Sequence, residues 1–402
     1  MQILLHIILG FILALSISLF AIPVIVRTVR KLKLLDQPNI RSSSEKAIPS
    51  LGGIAIFFGF LFGTAIGSYA YELPEMIYIV ITTILMLFIG LKDDLVSLPP
   101  YKKIIGQIVT AGIIIFLAKI QFTSLHGFLG YTNIGLVPGT LITGFVIIVL
   151  INAFNLMDGI DGLASGLSML AVIIFGTWFY LSGHFGYAIL SFALLGAIAG
   201  FFYFNVYGVR YKIFMGDTGA LFLGTIISIL LIKFNEFNID QTQPYAIESV
   251  PAISFGILAY PLIDMIRVMV IRMLQFKSPF SADKNHLHHR LLTLGFSHRK
   301  ATYTIIAMNI LFIMAVFALH QLGVLRLIVY ILVSGGILFM IPAFFIRKRK
   351  LIRLNDPVQQ LLIPGTTDEF LNNRRSNQKT RKRRKQSPLL DSDTFFQKFN
   401  LW

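Results

Sequence analysis

Apolar residues in this chain come in long unbroken blocks, not in the alternating or three-four rhythm of half-buried strands and helices. The blocks run roughly 16–24 residues and are separated by short polar connections. About 20 helical residues cross a bilayer's hydrocarbon layer, so each block predicts a spanning helix. Eleven are read, at about 3–26, 51–70, 76–91, 104–119, 136–153, 163–181, 185–204, 219–233, 251–270, 301–319 and 324–346. The expected fold class is therefore all-α, a polytopic membrane helix bundle with about 11 transmembrane helices. The first block is too long for a signal-peptide core and no small-residue cleavage site follows it, so it is read as a retained span.

The polar connections carry the orientation. Lys and Arg collect on the cytoplasmic side of membrane proteins. Here they occupy alternate connections: Arg27 to Lys46, then Lys92, Lys102 and Lys103, then Arg210 and Lys212, then Arg272 to Lys300, and finally Arg347 to Lys350. The intervening connections hold no Lys or Arg, only Glu72, Glu75, Glu236, Asp240 and Glu248. This alternation predicts the N-terminus outside and the C-terminus in the cytoplasm. It also puts Asp36, Asp93, Asp94, Asp158, Asp161, Asp217, Asp283 and the histidines of 286–289 on one face, the cytoplasmic one.

Composition agrees. Of 402 residues, 55% are hydrophobic and 13% charged, where soluble domains carry about 25% charged residues; the mean hydropathy is +0.75. A net charge of +16 would suggest nucleic acid in a soluble protein, but its placement fits membrane topology, and no nucleic-acid partner is expected. Cysteine is absent, which excludes disulfides, thiolate metal sites and cysteine nucleophiles. Residues 1–350 form the expected membrane domain. Residues 351–402 are expected to be a basic, disordered cytoplasmic tail, whose block Arg381 to Lys385 suits anionic headgroups.

Four polar motifs interrupt this pattern. Asn152-Ala-Phe-Asn155-Leu-Met-Asp158-Gly-Ile-Asp161-Gly-Leu163 carries two carboxylates three apart, which share a helix face or a tight turn and repel unless a cation joins them. Asp93-Asp94 ends the third span, with Lys102 and Lys103 after a Pro99-Pro100 turn; it is a solvated helix end or a pair whose pKa values are driven apart for chemistry. Phe214-Met-Gly-Asp217-Thr-Gly219 opens the eighth span, where helix N–H groups suit phosphate and the carboxylate suits Mg²⁺, helix capping being the alternative. His286-Leu-His288-His289-Arg290 holds three of the eight histidines. It reads as a donor cluster for a pyrophosphate, with a zinc site or incidental surface residues as rivals. Asp264 and Arg267, three apart in the ninth span, are read as a self-neutralising structural pair. Acids in need of a cation and cations in need of an anion, gathered on one face, together point to Mg²⁺ and a diphosphate substrate. An ion-coupled transporter is the rival of another class; it would place its charges near the bilayer midplane and show repeat-related broken helices.

These motifs, with Asp36-Gln-Pro-Asn and Pro49-Ser-Leu-Gly-Gly53, resemble the polyprenyl-phosphate N-acetylhexosamine-1-phosphate transferase family over about Asp36 to Gly295. The resemblance implies transfer of N-acetylglucosamine-1-phosphate from UDP-N-acetylglucosamine to undecaprenyl phosphate, releasing UMP and starting a cell-envelope glycan. Another UDP-N-acetylhexosamine, or UDP-N-acetylmuramoyl-pentapeptide, is the alternative donor. It further implies a magnesium cofactor (Mn²⁺ in its place being allowed), with Asp217 and Asp158 as metal ligands and Asp93, Asp94 and Asp217 as catalytic residues. Lys103, Asn155, Asp158, Asp161, Phe214, His286, His288, His289 and Arg290 are implied substrate-binding residues, Phe214 stacking on uracil. An active site on the cytoplasmic face of a multi-pass cell membrane protein follows, and a homodimeric assembly is left open. Ser44 stands where relatives commonly have His, Ala220 where they have Ser, and the 205–213 segment is slightly longer than usual.

Overall fold

In hydrocarbon an unpaired backbone N–H has no water to bind, and a helix is the local fold that pairs every such group within one segment. The blocks accordingly fold as helices in a computed structural model, which describes residues 1–32, 48–276 and 285–355. The helices are α1 (Gln2–Lys31), α2 (Gly52–Gly67), α3 (Met76–Val96), α4 (Pro100–Gly112), α5 (Leu136–Met157), α6 (Leu163–Leu181), α7 (Phe185–Phe202) and α8 (Gly216–Phe237), then α9 (Val250–Ile257), α10 (Ala259–Leu274), α11 (Leu287–Thr293), α12 (His298–Ala318) and α13 (Val324–Asn355). Single π-helical turns, Ile113–Leu117 and Tyr203–Tyr207, prolong α4 and α7. The connection before α5 holds a small antiparallel hairpin, β1 (Ser124–Phe128) and β2 (Tyr131–Asn133), which the apolar pattern does not predict.

Among the described residues, nine helices are long and apolar enough to cross a membrane, and α9 with α10 forms a further broken pair bent by 81°. The α2 helix, at 16 residues, is shorter. The bend has a local cause. Pro261 has no N–H to offer the Ile257 carbonyl. Asn309 of α12 replaces it, donating from Nδ2 to the Ile257 carbonyl at 2.9 Å and accepting the Tyr260 N–H at 3.0 Å.

The chain divides into two compact units, Met1–Met265 with Ser297–Gly335, and Ile266–Phe296 with Gly336–Trp402. In the first, α8 is buried along most of its length and packs against α2, α3, α5 and α6. The α1, α2 and α7 helices approach closely through small residues. A Cβ at Gly59 or Gly63 would meet Ala14, and one at Gly200 would meet Ser18; such seams let helix backbones pack where lipid gives no hydrophobic drive. In the second unit, Arg267 donates to the Asn285 carbonyl at 2.7 Å. Arg267 is buried, as is Asp264 of the first unit.

The predicted Asp36-Gln-Pro-Asn motif, Ser44, Asp283 and the tail beyond 355 lie outside the described residues. The α13 helix continues through Asn355, five residues into the segment expected to be tail.

Candidate active site

The α3 helix ends in two adjacent carboxylates, and neighbours on a helix point about 100° apart. They therefore meet different partners. Asp94 turns to the start of α8, where its Oδ1 accepts the Asp217 N–H at 2.8 Å. Its Oδ2 accepts the Thr218 N–H at 2.9 Å and the Thr218 hydroxyl at 2.6 Å. These are orphan donors of a helix N-terminus, capped here by a carboxylate from another helix. The cap needs room: Gly216 sits at φ +71°, with the Ser50 carbonyl and the Asp94 carboxyl where a Cβ would stand. The start of α2 braces the same turn. Phe214 N–H donates to the Pro49 carbonyl at 2.8 Å, and Gly52 N–H to the Phe214 carbonyl at 2.9 Å.

Asp93 turns to α4 instead. Its carboxylate accepts the Leu98 N–H and pairs with the Lys103 ammonium. Lys103 also reaches Asp217 Oδ2 at 2.5 Å, while Asn155 of α5 donates to Asp217 Oδ1 at 2.8 Å. Asp93, Lys103, Asn155 and Asp217 are thus joined across four helices. The ends that meet are the C-terminal ends of α3 and α5 and the N-terminal ends of α4 and α8.

Asp158 lies just past α5, half-buried. Burial, then the nearby charges of Asp217 and Asp94, push its carboxyl up to about 8. Four carboxylates, Asp93, Asp94, Asp158 and Asp217, crowd this corner with the Lys103 ammonium among them. Among the described residues no group of three or more His, Asp or Glu side chains is placed to hold a metal ion by itself.

Asp161 takes part in a separate cluster. Its Oδ2 pairs with Lys212 at 2.5 Å and lies 3.7 Å from His298 Nδ1. Its backbone carbonyl accepts the Thr302 hydroxyl at 2.7 Å. Asn205, carried by the π turn after α7, fixes the loop by accepting the Gly162 N–H at 2.6 Å and donating to the Ile213 carbonyl at 2.8 Å. The remaining Asp161 oxygen, Oδ1, is buried and accepts no hydrogen bond among the described residues. Phe214 is half-buried, and its ring stacks on no aromatic side chain among them.

The His/Arg motif belongs to the second unit. His286 precedes α11 and its ring stacks on His288 at 5.7 Å, while His288 and His289 lie 4.3 Å apart at 46°. His286, His288 and Arg290 are buried.

The structure thus brings together Asp93, Asp94, Lys103, Asn155, Asp158 and Asp217, and gives Asp161 partners of its own. Sequence reasoning missed Lys212, His298 and Thr302 in that second cluster. Lys212 registered only as a topological charge, and its spacing from Asp161 carries no motif.

Two comparisons bear on the family. The signature described as glycosyl transferase family 4 matches residues 76–235, the stretch from the start of α3 nearly to the end of α8. The undecaprenyl-phosphate alpha-N-acetylglucosaminyl 1-phosphate transferase of Salmonella typhimurium is 34% identical over 275 residues, covering 67% of this chain and 72% of that protein. Its counterpart in Escherichia coli K12 is 33% identical over 279 residues, covering 68% and 73%. A probable undecaprenyl-phosphate N-acetylglucosaminyl 1-phosphate transferase of Bacillus subtilis is 32% identical over 309 residues, covering 76% and 83%. On this identity and coverage the chain belongs to glycosyl transferase family 4, as a membrane-embedded member of the polyprenyl-phosphate N-acetylhexosamine-1-phosphate transferases.

Proposed function

We propose that the protein transfers N-acetylglucosamine-1-phosphate from UDP-N-acetylglucosamine to undecaprenyl phosphate at the cytoplasmic face of the membrane, releasing UMP. The observation that carries this reading is the Asp217 carboxylate, held from both sides by Lys103 and Asn155 at the start of α8. The relatives' names supply the lipid acceptor and the sugar phosphate. The Lys and Arg alternation supports the cytoplasmic face, because Lys103 and Lys212 belong to the basic connections.

In the proposed reaction an oxygen of the lipid phosphate attacks the sugar-bearing phosphorus of the donor. A new P–O bond forms, the bond from that phosphorus to the bridging oxygen breaks, and UMP leaves with the electron pair. A phosphate monoester is already largely ionised near neutral pH, so no carboxylate has to remove a proton from the nucleophile. The protein's work is positioning and charge stabilisation. Lys103 supplies a fixed positive charge. Asp94 builds the turn that presents Asp217, and Asp93 holds Lys103 in place. Asp161 Oδ1, a buried acceptor in want of a donor, suits an N–H of the nucleotide base, and Phe214, two residues after the Lys212 that pairs with Asp161, is assigned on the family resemblance to cover the ring. His286, His288, His289 and Arg290 are assigned to the donor's anionic end on their chemistry and the family resemblance.

The residues fit Mg²⁺. Asp217 and Asp158 are hard oxygen donors whose mutual repulsion a divalent cation relieves, and Mg²⁺ is commonly held by one or two carboxylates plus substrate phosphate oxygens. Bound there, it would neutralise charge on the phosphate oxygens during transfer.

The test incubates purified protein with radiolabelled UDP-N-acetylglucosamine, undecaprenyl phosphate and Mg²⁺. A labelled lipid whose formation stops with EDTA is expected. Product only with another UDP-sugar rejects the sugar; no product with any donor rejects the reaction.

A further inference from the structure

Below the Asp217 corner, deeper along the helices, lies a second contact between α4 and α5. Lys103 and Gln107 are four apart on α4, and Asn152 and Asn155 three apart on α5, so each pair shares a face. Gln107 is 1% exposed. Asn152 Nδ2 donates to Gln107 Oε1 at 2.7 Å, and Gln107 Nε2 donates back to Asn152 Oδ1 at 3.3 Å. A further bond from Asn152 Nδ2 to the Ile148 carbonyl, at 2.8 Å, fixes the Asn152 rotamer on its own helix. One turn along, Lys103 and Asn155 reach the two oxygens of one carboxylate, Asp217 Oδ2 at 2.5 Å and Oδ1 at 2.8 Å. The contacts close a ring: Asp217, Lys103, Gln107, Asn152, Asn155 and back to Asp217.

The hydrophobic effect does not set the register of α4 against α5. Lipid tails are as apolar as leucine, so sliding one helix along another changes little hydrophobic energy. Beyond the exposed Lys102 in its first turn, the outer face of α4 is apolar, with Ile104, Ile105, Ile108 and Val109 exposed, and a π turn ends it at Ile113–Leu117. A reciprocal amide pair is directional, and in a buried setting a one-sided loss leaves an orphan polar group.

We propose that Gln107 and Asn152 are positioning residues, an amide strut that fixes the register of α4 on α5 and so holds Lys103 and Asn155 on Asp217. Neither amide touches the reacting groups; both act through Lys103 and Asn155. The inference rests on the proposed transfer at Asp217.

The experiment uses the full chain in detergent with undecaprenyl phosphate and UDP-N-acetylglucosamine, measuring kcat, KM and unfolding temperature. Replacing both amides together (Gln107→Leu with Asn152→Leu) removes donors and acceptors at once, which leaves stability nearly unchanged. The expected result is a kcat about 10- to 100-fold lower, the scale of a misplacement of about 1 Å, with KM for the UDP-sugar near wild type. In a Lys103→Ala background the same leucine pair costs clearly less than it does in wild type, because the strut has lost one of the two groups it positions. The exchanged pair, Gln107→Asn with Asn152→Gln, keeps the amide contact and recovers most of kcat. Wild-type kcat in the leucine pair overturns the proposal. So does a full additive loss in the Lys103→Ala background, or a leucine pair whose lost activity tracks lost folded protein while the exchanged pair stays inactive. A wild-type chain that makes no lipid-linked product from any UDP-sugar overturns the transferase reading instead, and is seen before any variant is made.

Discussion

Asp94 and Thr218 are joined twice: one carboxylate oxygen of Asp94 takes both the backbone N–H of Thr218 at 2.9 Å and its hydroxyl at 2.6 Å. With the other oxygen on the Asp217 N–H, both Asp94 oxygens are engaged in capping α8. Its neighbour Asp93 faces Lys103. Two residues that look equivalent in the chain therefore have different work, one building the turn and the other facing the ammonium beside Asp217.

Asp94→Ala is expected to loosen the α8 N-terminus, at a cost of about 1–2 kcal/mol, the usual scale for a lost cap, and to abolish transfer because Asp217 moves with the turn. Asp94→Asn keeps an acceptor and is expected to recover most of the stability. Asp93→Asn is expected to leave the unfolding temperature closer to wild type than Asp94→Ala while still reducing kcat. Unfolding temperature and kcat measured side by side on the three variants check this division.

Much of this was legible beforehand, and the reason is the bilayer. A span needs about 20 apolar residues, so the blocks announce the helices, and the polar motifs that interrupt them announce acids that meet at adjoining helix ends. The internal pairing was not legible. Sequence shows Asp93 and Asp94 as one motif, whereas the helix turns them to α4 and α8. Asp158 and Asp161 looked like a pair sharing one cation, whereas the turn between α5 and α6 sends Asp161 to Lys212 and His298. Gln107 and Asn152 sit inside apolar runs with nothing local to link residues 45 positions apart. The hairpin at 124–133 lacks an Asn-Gly or Asp-Gly turn, having Leu129 at φ +52° and Gly130 at φ +85° instead.

Lys103 supplies the fixed positive charge among the carboxylates of Asp93 and Asp217. Removing it leaves those acids to repel one another and raises the local negative potential. Lys103→Ala is therefore expected to lower kcat by about 100-fold, the loss of a positioned charge at the reacting phosphate. The same variant is expected to lower, not raise, the Mg²⁺ concentration giving half-maximal rate, since the site has become more anionic. Initial rates over a Mg²⁺ titration separate the two effects, and a variant that needs more Mg²⁺ than wild type refutes the charge argument.

Asp158 and Asp161 should separate in the same assay. Asp158 shares its corner with Asp217, so Asp158→Asn is expected to raise the half-saturating Mg²⁺ concentration. Asp161 is tied to Lys212 at 2.5 Å and keeps Oδ1 for a donor, so Asp161→Asn is expected to raise the KM for the UDP-sugar with the Mg²⁺ requirement nearly unchanged. Lys212→Met should imitate Asp161→Asn in direction, because it frees the carboxylate to rotate. If Asp161→Asn shifts the Mg²⁺ curve as far as Asp158→Asn does, the two clusters are one site.

The last expectation concerns pH in the absence of metal. Burial and the charges of Asp217 and Asp94 hold the Asp158 carboxyl at about 8, whereas an unfolded Asp titrates near 3.9. Between those values the folded protein keeps a proton that the unfolded chain has lost, so the unfolded state binds fewer protons and stability falls as pH rises. The Asp158 contribution is fully present below about pH 4 and is lost progressively up to about pH 8. With EDTA present, the unfolding temperature followed by intrinsic fluorescence should drop from pH 5 to pH 8 more steeply in wild type than in Asp158→Asn, which has no proton to lose. Adding Mg²⁺ should restore the wild-type protein most at the alkaline end, where the carboxylate is ionised and the cation replaces the departed proton. Parallel pH profiles for the two proteins in EDTA would show that Asp158 is already ionised at neutral pH, and that the crowding of Asp158 by Asp217 and Asp94 is relieved without a metal.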